Sequence, residues 1–230
     1  MCGIAGFIDL RGQRRLDPEM LDRMVDALYL RGPDDRGTSI EPPVAMGIRR
    51  LSIIDVEGGH QPMISEDGQV RVVMNGELYS FPELREELIG KGYAFRTHAD
   101  SEVLVHGYRE WGMEGLLSRL NGMFAFALQD VARQRIFLGR DRLGIKPLLY
   151  TERDGVLLFG SALSSLLRTG MVPPEPDPTG IRLYLHNQYI PWPHTAIAGV
   201  RKLPPASYLE IQDGKINGPI RYWHLPEEDR

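Results

Sequence analysis

Apolar residues recur along this chain in two rhythms, one helical and one suited to strands. The first seven-residue run, CGIAGFI (2–8), is small and apolar and predicts a short buried strand. Over 17–32, DPEMLDRMVDALYLRG, the apolar positions Met20, Leu21, Met24, Val25 and Leu28 fall at helical spacing. Asp17 stands as N-cap, Pro18 in the first turn and Gly32 past the end, so a helix is bracketed by its own punctuation. The RGPDDRG segment that follows reads as a loop, and strand-like stretches return at 44–55 and 70–75. Ser80 and Glu83 stand in capping-box register ahead of a helix over 80–92. Another helix is expected over 100–112, with Asp100 as its N-cap and Val103, Leu104, Tyr108 and Trp111 on one face.

From residue 123 the pattern changes to strands: MFAFALQD, QRIFLGRD, PLLYT and VLLFGS, joined by short polar turns. SALSSLLRTG predicts a short helix, and the proline-rich 171–180 marks a linker or sub-domain edge. A helix over about 178–187 and a hairpin in SYLEIQDGKING complete the pattern. Strands close together in sequence, interrupted by two groups of helices, predict an α+β fold with mostly antiparallel sheets covered by helices. The division expected is a core over 1–170 and a C-terminal extension over 171–230 that completes the domain.

Composition narrows the function classes. At 230 residues, 42% apolar and 25% charged, the chain has the make-up of an ordinary globular protein. A formal net charge of −4 offers no basic footprint for nucleic acid or an anionic membrane. No apolar run approaches membrane-spanning length and no signal peptide is read, so the expected location is cytoplasmic. A Walker loop, an HExxH pair, paired-cysteine zinc spacing and a Rossmann glycine fingerprint are all absent from the sequence.

Candidate chemistry starts with Cys2, the single cysteine, directly behind the initiator methionine. It reads either as a packing residue of the first strand or as a nucleophile. A nucleophilic thiol needs a base. His60, His106 and His224 read as solvent-facing or packed side chains, but removal of Met1 would leave an α-amine with a pKa of roughly 7.7–8.0 on Cys2 itself. Asn75-Gly76 reads as a hairpin turn or, since ELYSFPELR heads into a helix, as two donors at a strand end aimed at one oxygen. Arg50 is a surface arginine or a guanidinium fork for a carboxylate. Asp100 is a helix cap or, with Glu77, a receptor for an ammonium group. Arg140, Asp141 and Lys146 are expected to form an ion network that fixes their loop.

MCGIAGF, RGPDDRG, RRLSIIDVEGGHQPM, NGELY, HADSEVLVHGYREWG, NGMFAFALQD, RDRLGIKPLLY and FGSALSSLL occur in order, followed by RKLPPASYLEI and RYWHLP. Together they resemble the N-terminal glutaminase domain of asparagine synthetases, a class II glutamine amidotransferase. The RGPD loop and KLPP tail resemble that branch, not the phosphosugar or phosphoribosyl one. The resemblance implies an N-terminal-nucleophile αββα sandwich, two antiparallel sheets between helical layers. It implies that Cys2 attacks the side-chain amide of L-glutamine through a thioester, with Asn75 Nδ2 and the Gly76 N–H as oxyanion donors. Arg50 would hold the α-carboxylate, Leu51, Ser52, Ile53 and Ile54 would line the pocket, and Glu77 and Asp100 would take the α-amino end. Ala99 departs from the Ser or Thr usual before the aspartate, and NGELYSF from the commoner NGEIYN.

The SGG-x-DS pyrophosphate loop of the synthetase half is absent, and the chain reads as a fragment of a longer protein. No cofactor or metal is expected here; ATP and Mg belong to the missing synthetase domain, in the same longer chain or in trans. That domain is the expected partner, with a homodimer as the assembly to look for. The competing expectation is a non-hydrolytic or latent docking module that works only with its synthetase.

Overall fold

A computed structural model describes residues 1–12 and 16–225 of the chain. The end of the RYWHLPEEDR tail, 226–230, therefore lies outside the described residues. The elements run β1 (Gly3–Asp9), α1 (Pro18–Asp26), β2 (Asp35–Glu41), β3 (Val44–Arg50), β4 (Met63–Ile64), β5 (Val70–Leu78), α2 (Phe81–Gly90) and α3 (Glu102–Arg119). They continue through β6 (Gly122–Asp130), β7 (Arg135–Arg140), β8 (Leu149–Arg153), β9 (Val156–Gly160), α4 (Leu163–Leu167) and α5 (Pro178–Asn187). The last are β10 (Arg201–Lys202), β11 (Ser207–Gln212) and β12 (Lys215–Arg221).

Two six-stranded antiparallel sheets result, ordered β10-β8-β9-β1-β3-β2 and β12-β11-β7-β6-β5-β4. Alternation along each strand sorts its side chains between two faces. In β1, Ile4 and Ile8 meet Val73, Ala125, Ala127 and Leu138 of the other sheet in a shared inner core. Ala5 and Phe7 turn outward, onto Leu21, Met24 and Val25 of α1 and Leu166 of α4. On the second sheet, Val72, Met74, Phe124 and Phe126 face outward to Leu84 and Leu88 of α2 and to Leu104, Tyr108 and Leu116 of α3. These three apolar layers make the αββα sandwich that the resemblance implied.

Local signals succeed where the residues that make the element also satisfy it. Asp17 accepts the Glu19 N–H at the start of α1, as its N-cap position predicted. Elsewhere longer-range partners take over. The Ser80 hydroxyl forms no cap; it accepts the Asn121 N–H and faces the Arg119 and Asn121 carbonyls, so the capping box is not made. The helix expected over 100–112 runs on to Arg119 through a break at Gly112 (φ 68°), and Ser101, not Asp100, occupies its cap position. The RGPDDRG loop is strand from Asp35 onward, at a sheet edge. The two-residue strands β4 and β10 carry no sequence signal long enough to read.

The largest correction concerns Asn75-Gly76. The pair neither turns nor ends a strand: β5 passes straight through it, in register with β6 as Asn75↔Ala125, Gly76↔Phe124 and Glu77↔Met123. Arg140, Asp141 and Lys146 fix their loop as expected but not by ion pairing. The Asp141 carboxylate accepts the N–H groups of Phe124, Leu143, Ile145 and Lys146, and Arg140 donates to the carbonyls of Gly144, Lys146 and Leu203.

Candidate active site

At one end of the inner core the sheets part around a cavity of about 410 Å³, a size suited to a small molecule. It is lined by Cys2, Arg50, Leu51, Ile53, Ile54, Asn75, Gly76, Glu77 and Asp100, so all but one of the sequence-predicted site residues meet in it. Ser52 is the exception. Its N–H donates to the Asp34 carboxylate at 2.9 Å and it lines a separate cleft with Asp34, Asp35 and His60.

Cys2 stands just ahead of β1, with its side chain packed against the inner core. The Leu51 N–H donates to Sγ at 3.4 Å, while the thiol can donate to the Leu51 carbonyl at 3.6 Å. Arg31 anchors the same residue: its Nε donates to the Cys2 carbonyl at 3.0 Å, and its guanidinium lies within Coulombic reach of the sulfur. Burial lowers the Arg31 pKa, and the Cys2 charge partly restores it.

The oxyanion geometry follows from strand alternation. Tyr79 donates to Asn121 and Val131 to Gln69, so the odd residues of β5 bond to β6 and the even ones face the opposite edge. On that edge β4 pairs only with Arg71 and Val72. Beyond it the Met74 N–H finds the Gln61 side-chain oxygen at 2.7 Å, and the Leu78 N–H finds an Asp100 carboxylate oxygen at 2.8 Å. The Gly76 N–H lies between them, turned to the same open edge and the cavity. Gly76 has φ 151°, and a Cβ there would lie 2.0 Å from the Met123 carbonyl oxygen. No side chain fits, so the backbone stays open to a ligand. Asn75 faces the inner core, fully buried, and neither atom of its amide has a partner among the described residues. A buried amide left unpaired costs about 1–3 kcal/mol, a cost that a polar ligand in the cavity would relieve.

The charged ends are equally specific. Arg50 is not a surface residue but buried, and its guanidinium donates to the carbonyls of Ile54, Asp55 and Val56. Burial raises the Asp100 pKa, against the pull of the Leu78 and Ser101 N–H groups, and the neighbouring Glu77 charge adds to the rise. A carboxylate kept ill at ease in this way gains most from a cation. Gln61 and Ser101, buried and lining the cavity, have no signal in the local sequence pattern, and Lys146, expected only in its loop network, lines it too. Among the described residues no group of three His, Cys, Asp or Glu side chains could hold a metal ion, and no helix is long and apolar enough to cross a membrane.

A protein-family model for the glutamine amidotransferase domain matches residues 1–223. The chain belongs to that family. It is 38% identical over 231 residues to asparagine synthetase [glutamine-hydrolyzing] 3 of Bacillus subtilis, a match covering 99% of this chain and 37% of that protein. It is 34% identical to amidase chry2 of Gibberella zeae, covering all of this chain and 35% of the relative. The chain thus spans about a third of the length of these relatives. Among solved structures, a glutamine phosphoribosylpyrophosphate amidotransferase from B. subtilis superposes with a TM-score of 0.71, covering 97% of this chain and 50% of that one. At 18% identity that likeness is one of fold.

Glu102 holds the approach to Asp100. Its buried carboxylate accepts the N–H groups of Arg96 and Thr97, the Thr97 hydroxyl and His106 Nε2. Burial alone would raise its pKa, but these donors together pull it down to about 2. Because the folded value lies below the unfolded one, the stabilisation is full above pH ~4.5 and is lost as pH falls toward 2. Relative to Glu102→Gln, the wild type is expected to lose about 3 kcal/mol across that window, from 1.36 kcal/mol per pKa unit. Urea unfolding at stepped pH measures this; parallel pH curves for the two proteins would contradict it.

Proposed function

We propose that this chain hydrolyses the side-chain amide of L-glutamine to glutamate and ammonia, with Cys2 as nucleophile, and supplies the ammonia to an ATP-dependent asparagine synthetase-type domain. The observation that carries the reading is the orphaned Asn75 amide beside the open Gly76 N–H, in one cavity with the Cys2 thiol.

With Met1 removed, the Cys2 α-amine takes the thiol proton through a bridging water, and Sγ attacks the amide carbon. Asn75 Nδ2 and the Gly76 N–H receive the oxyanion. The C–N bond breaks, the α-ammonium returns its proton to the leaving nitrogen, and ammonia departs. Water then attacks the γ-glutamyl thioester, releasing glutamate and the thiol. Arg50 holds the α-carboxylate with Leu51, Ile53 and Ile54 around it, and Glu77 and Asp100 hold the α-ammonium. The strands contributed beyond residue 170 complete the domain over the 1–170 core. Exposed Ile53 and Ile145 at the cavity, with Leu143 in the same turn, give its mouth an apolar rim suited to a synthetase-type partner that keeps ammonia out of water. ATP and Mg chemistry belongs to that partner.

One observation favours a latent form of the same site: Arg50 is engaged by three carbonyls of its own loop. Docking of a partner on the adjacent rim would then free the guanidinium for substrate, and activity would appear only with the partner present.

Glutamate release from glutamine is expected for the Met1-processed wild type and not for Cys2→Ala; equal rates in the two would sink the proposal. The raised Asp100 pKa adds a pH signature. The carboxylate must be ionised to hold an ammonium, so kcat/KM should fall as pH drops through a value above the ordinary carboxylate range. Since a raised pKa contributes stability below the unfolded value and loses it as pH rises, Asp100→Asn should be at least as stable as wild type at neutral pH while binding glutamine poorly. A destabilised Asp100→Asn with unaltered KM would contradict the assignment.

A further inference from the structure

The open edge of β5 requires an explanation that the substrate-facing residues do not supply. Where β4 ends at Met63, the next residue able to face β5 in register is Gln61, opposite Met74. Gln61 is buried, and its Oε1 takes the Met74 N–H at 2.7 Å. The oxygen, not the nitrogen, must face that N–H, because two donors cannot pair. Its backbone is seated as tightly: a Cβ on Gly37 of β2 would lie 1.7 Å from the Gln61 carbonyl oxygen. Two side-chain acceptors thus hold the edge on either side of Gly76, Gln61 at residue 74 and Asp100 at residue 78.

Resting on the glutaminase reading above, we propose that Gln61 is a positioning residue for the oxyanion donor. Its Oε1 substitutes for the missing strand neighbour and fixes the plane of the peptides before Gly76, so that the Gly76 N–H points into the cavity at the developing oxyanion. Asp100 does the same from the far side while meeting the substrate; Gln61 also lines the cavity, but its assigned role runs through the strand. The Met74 N–H would otherwise lie unpaired on a buried edge and draw the backbone toward another acceptor. A donor displaced by a fraction of an ångström stabilises the transition state poorly while leaving ground-state binding alone.

Gln61→Met keeps the length and volume and removes the acceptor; Gln61→Glu keeps the acceptor. Glutamine hydrolysis by Gln61→Met is expected to lose ~10- to 100-fold in kcat with KM unchanged, the scale of a misplaced oxyanion donor. Gln61→Glu should recover most of that loss. Hydrogen exchange gives a readout that needs no catalysis: the Met74 amide should be protected in wild type and Gln61→Glu, and exposed in Gln61→Met. Should Gln61→Met not fold, Gln61→Asn, whose shorter arm withdraws the oxygen from the strand, takes its place. An equally protected Met74 amide, a freed amide with unaltered kcat, or a loss confined to KM would overturn the proposal. A wild type that releases no glutamate fails the glutaminase reading itself. Failure of Gln61 alone is told apart from that by an active wild type and an unaltered variant.

Discussion

Everything at the cavity depends on what happens to three backbone N–H groups along the free edge of β5. A sheet interior leaves no N–H to spare, and an edge strand exposes every second one. Here β4 pairs with two residues and stops, so Met74, Gly76 and Leu78 face outward with no strand of the described residues beside them. Two side chains, Gln61 and Asp100, satisfy the first and third. The middle one stays open because Gly76 carries no side chain and because its neighbours hold the strand straight. Had β4 continued for a few residues, the same sequence in β5 would have an ordinary ladder and no donor to offer.

Against this edge the sandwich sets its N-terminus. β1 is an inner strand, bonded on both sides to β3 and β9, so the residue just ahead of it is anchored as few chain termini are. That anchoring carries the Cys2 sulfur to the Leu51 N–H and its carbonyl to Arg31. Several of the surrounding groups are costly to the fold: an unpaired buried amide at Asn75, a carboxylate at Asp100 that burial would rather protonate, and an arginine buried at residue 50. Costs of about 1–3 kcal/mol each are tolerable beside three apolar cores, and under the proposed function each would be relieved by one ligand with a carbonyl, an ammonium and a carboxylate.

Much of this was legible in the sequence. The Asp17–Pro18 start of α1 could be read because its cap partner lies two residues away, and the long strands because inner-core residues are apolar on both faces. The site residues were gathered from ordered motifs, and all but Ser52 line one cavity. What misled were local signals with distant competitors. Asn75-Gly76 has turn chemistry, but the β5–β6 ladder runs on either side of it and overrides the turn. Ser80 has capping chemistry, but Asn121 reaches its hydroxyl. Asp100 precedes a helix, yet its carboxylate serves Leu78 across the fold. The edge strand β2 is polar enough to look like loop. Gln61 was not singled out at all, since its only distinguishing contact is with a residue thirteen positions later that no pattern connects to it.

In the proposed function the thiol at residue 2 carries the reaction, beside donors held open on β5. Rapid acid quenching of the protein with glutamine, followed by mass analysis of its N-terminal peptide, would trap the acylated thiol. The expected result is a chain lacking Met1 that carries a glutamyl group on Cys2 and sheds it as glutamate accumulates. Glutamate accumulating with Met1 still in place, or with no acyl group ever found on Cys2, would contradict it.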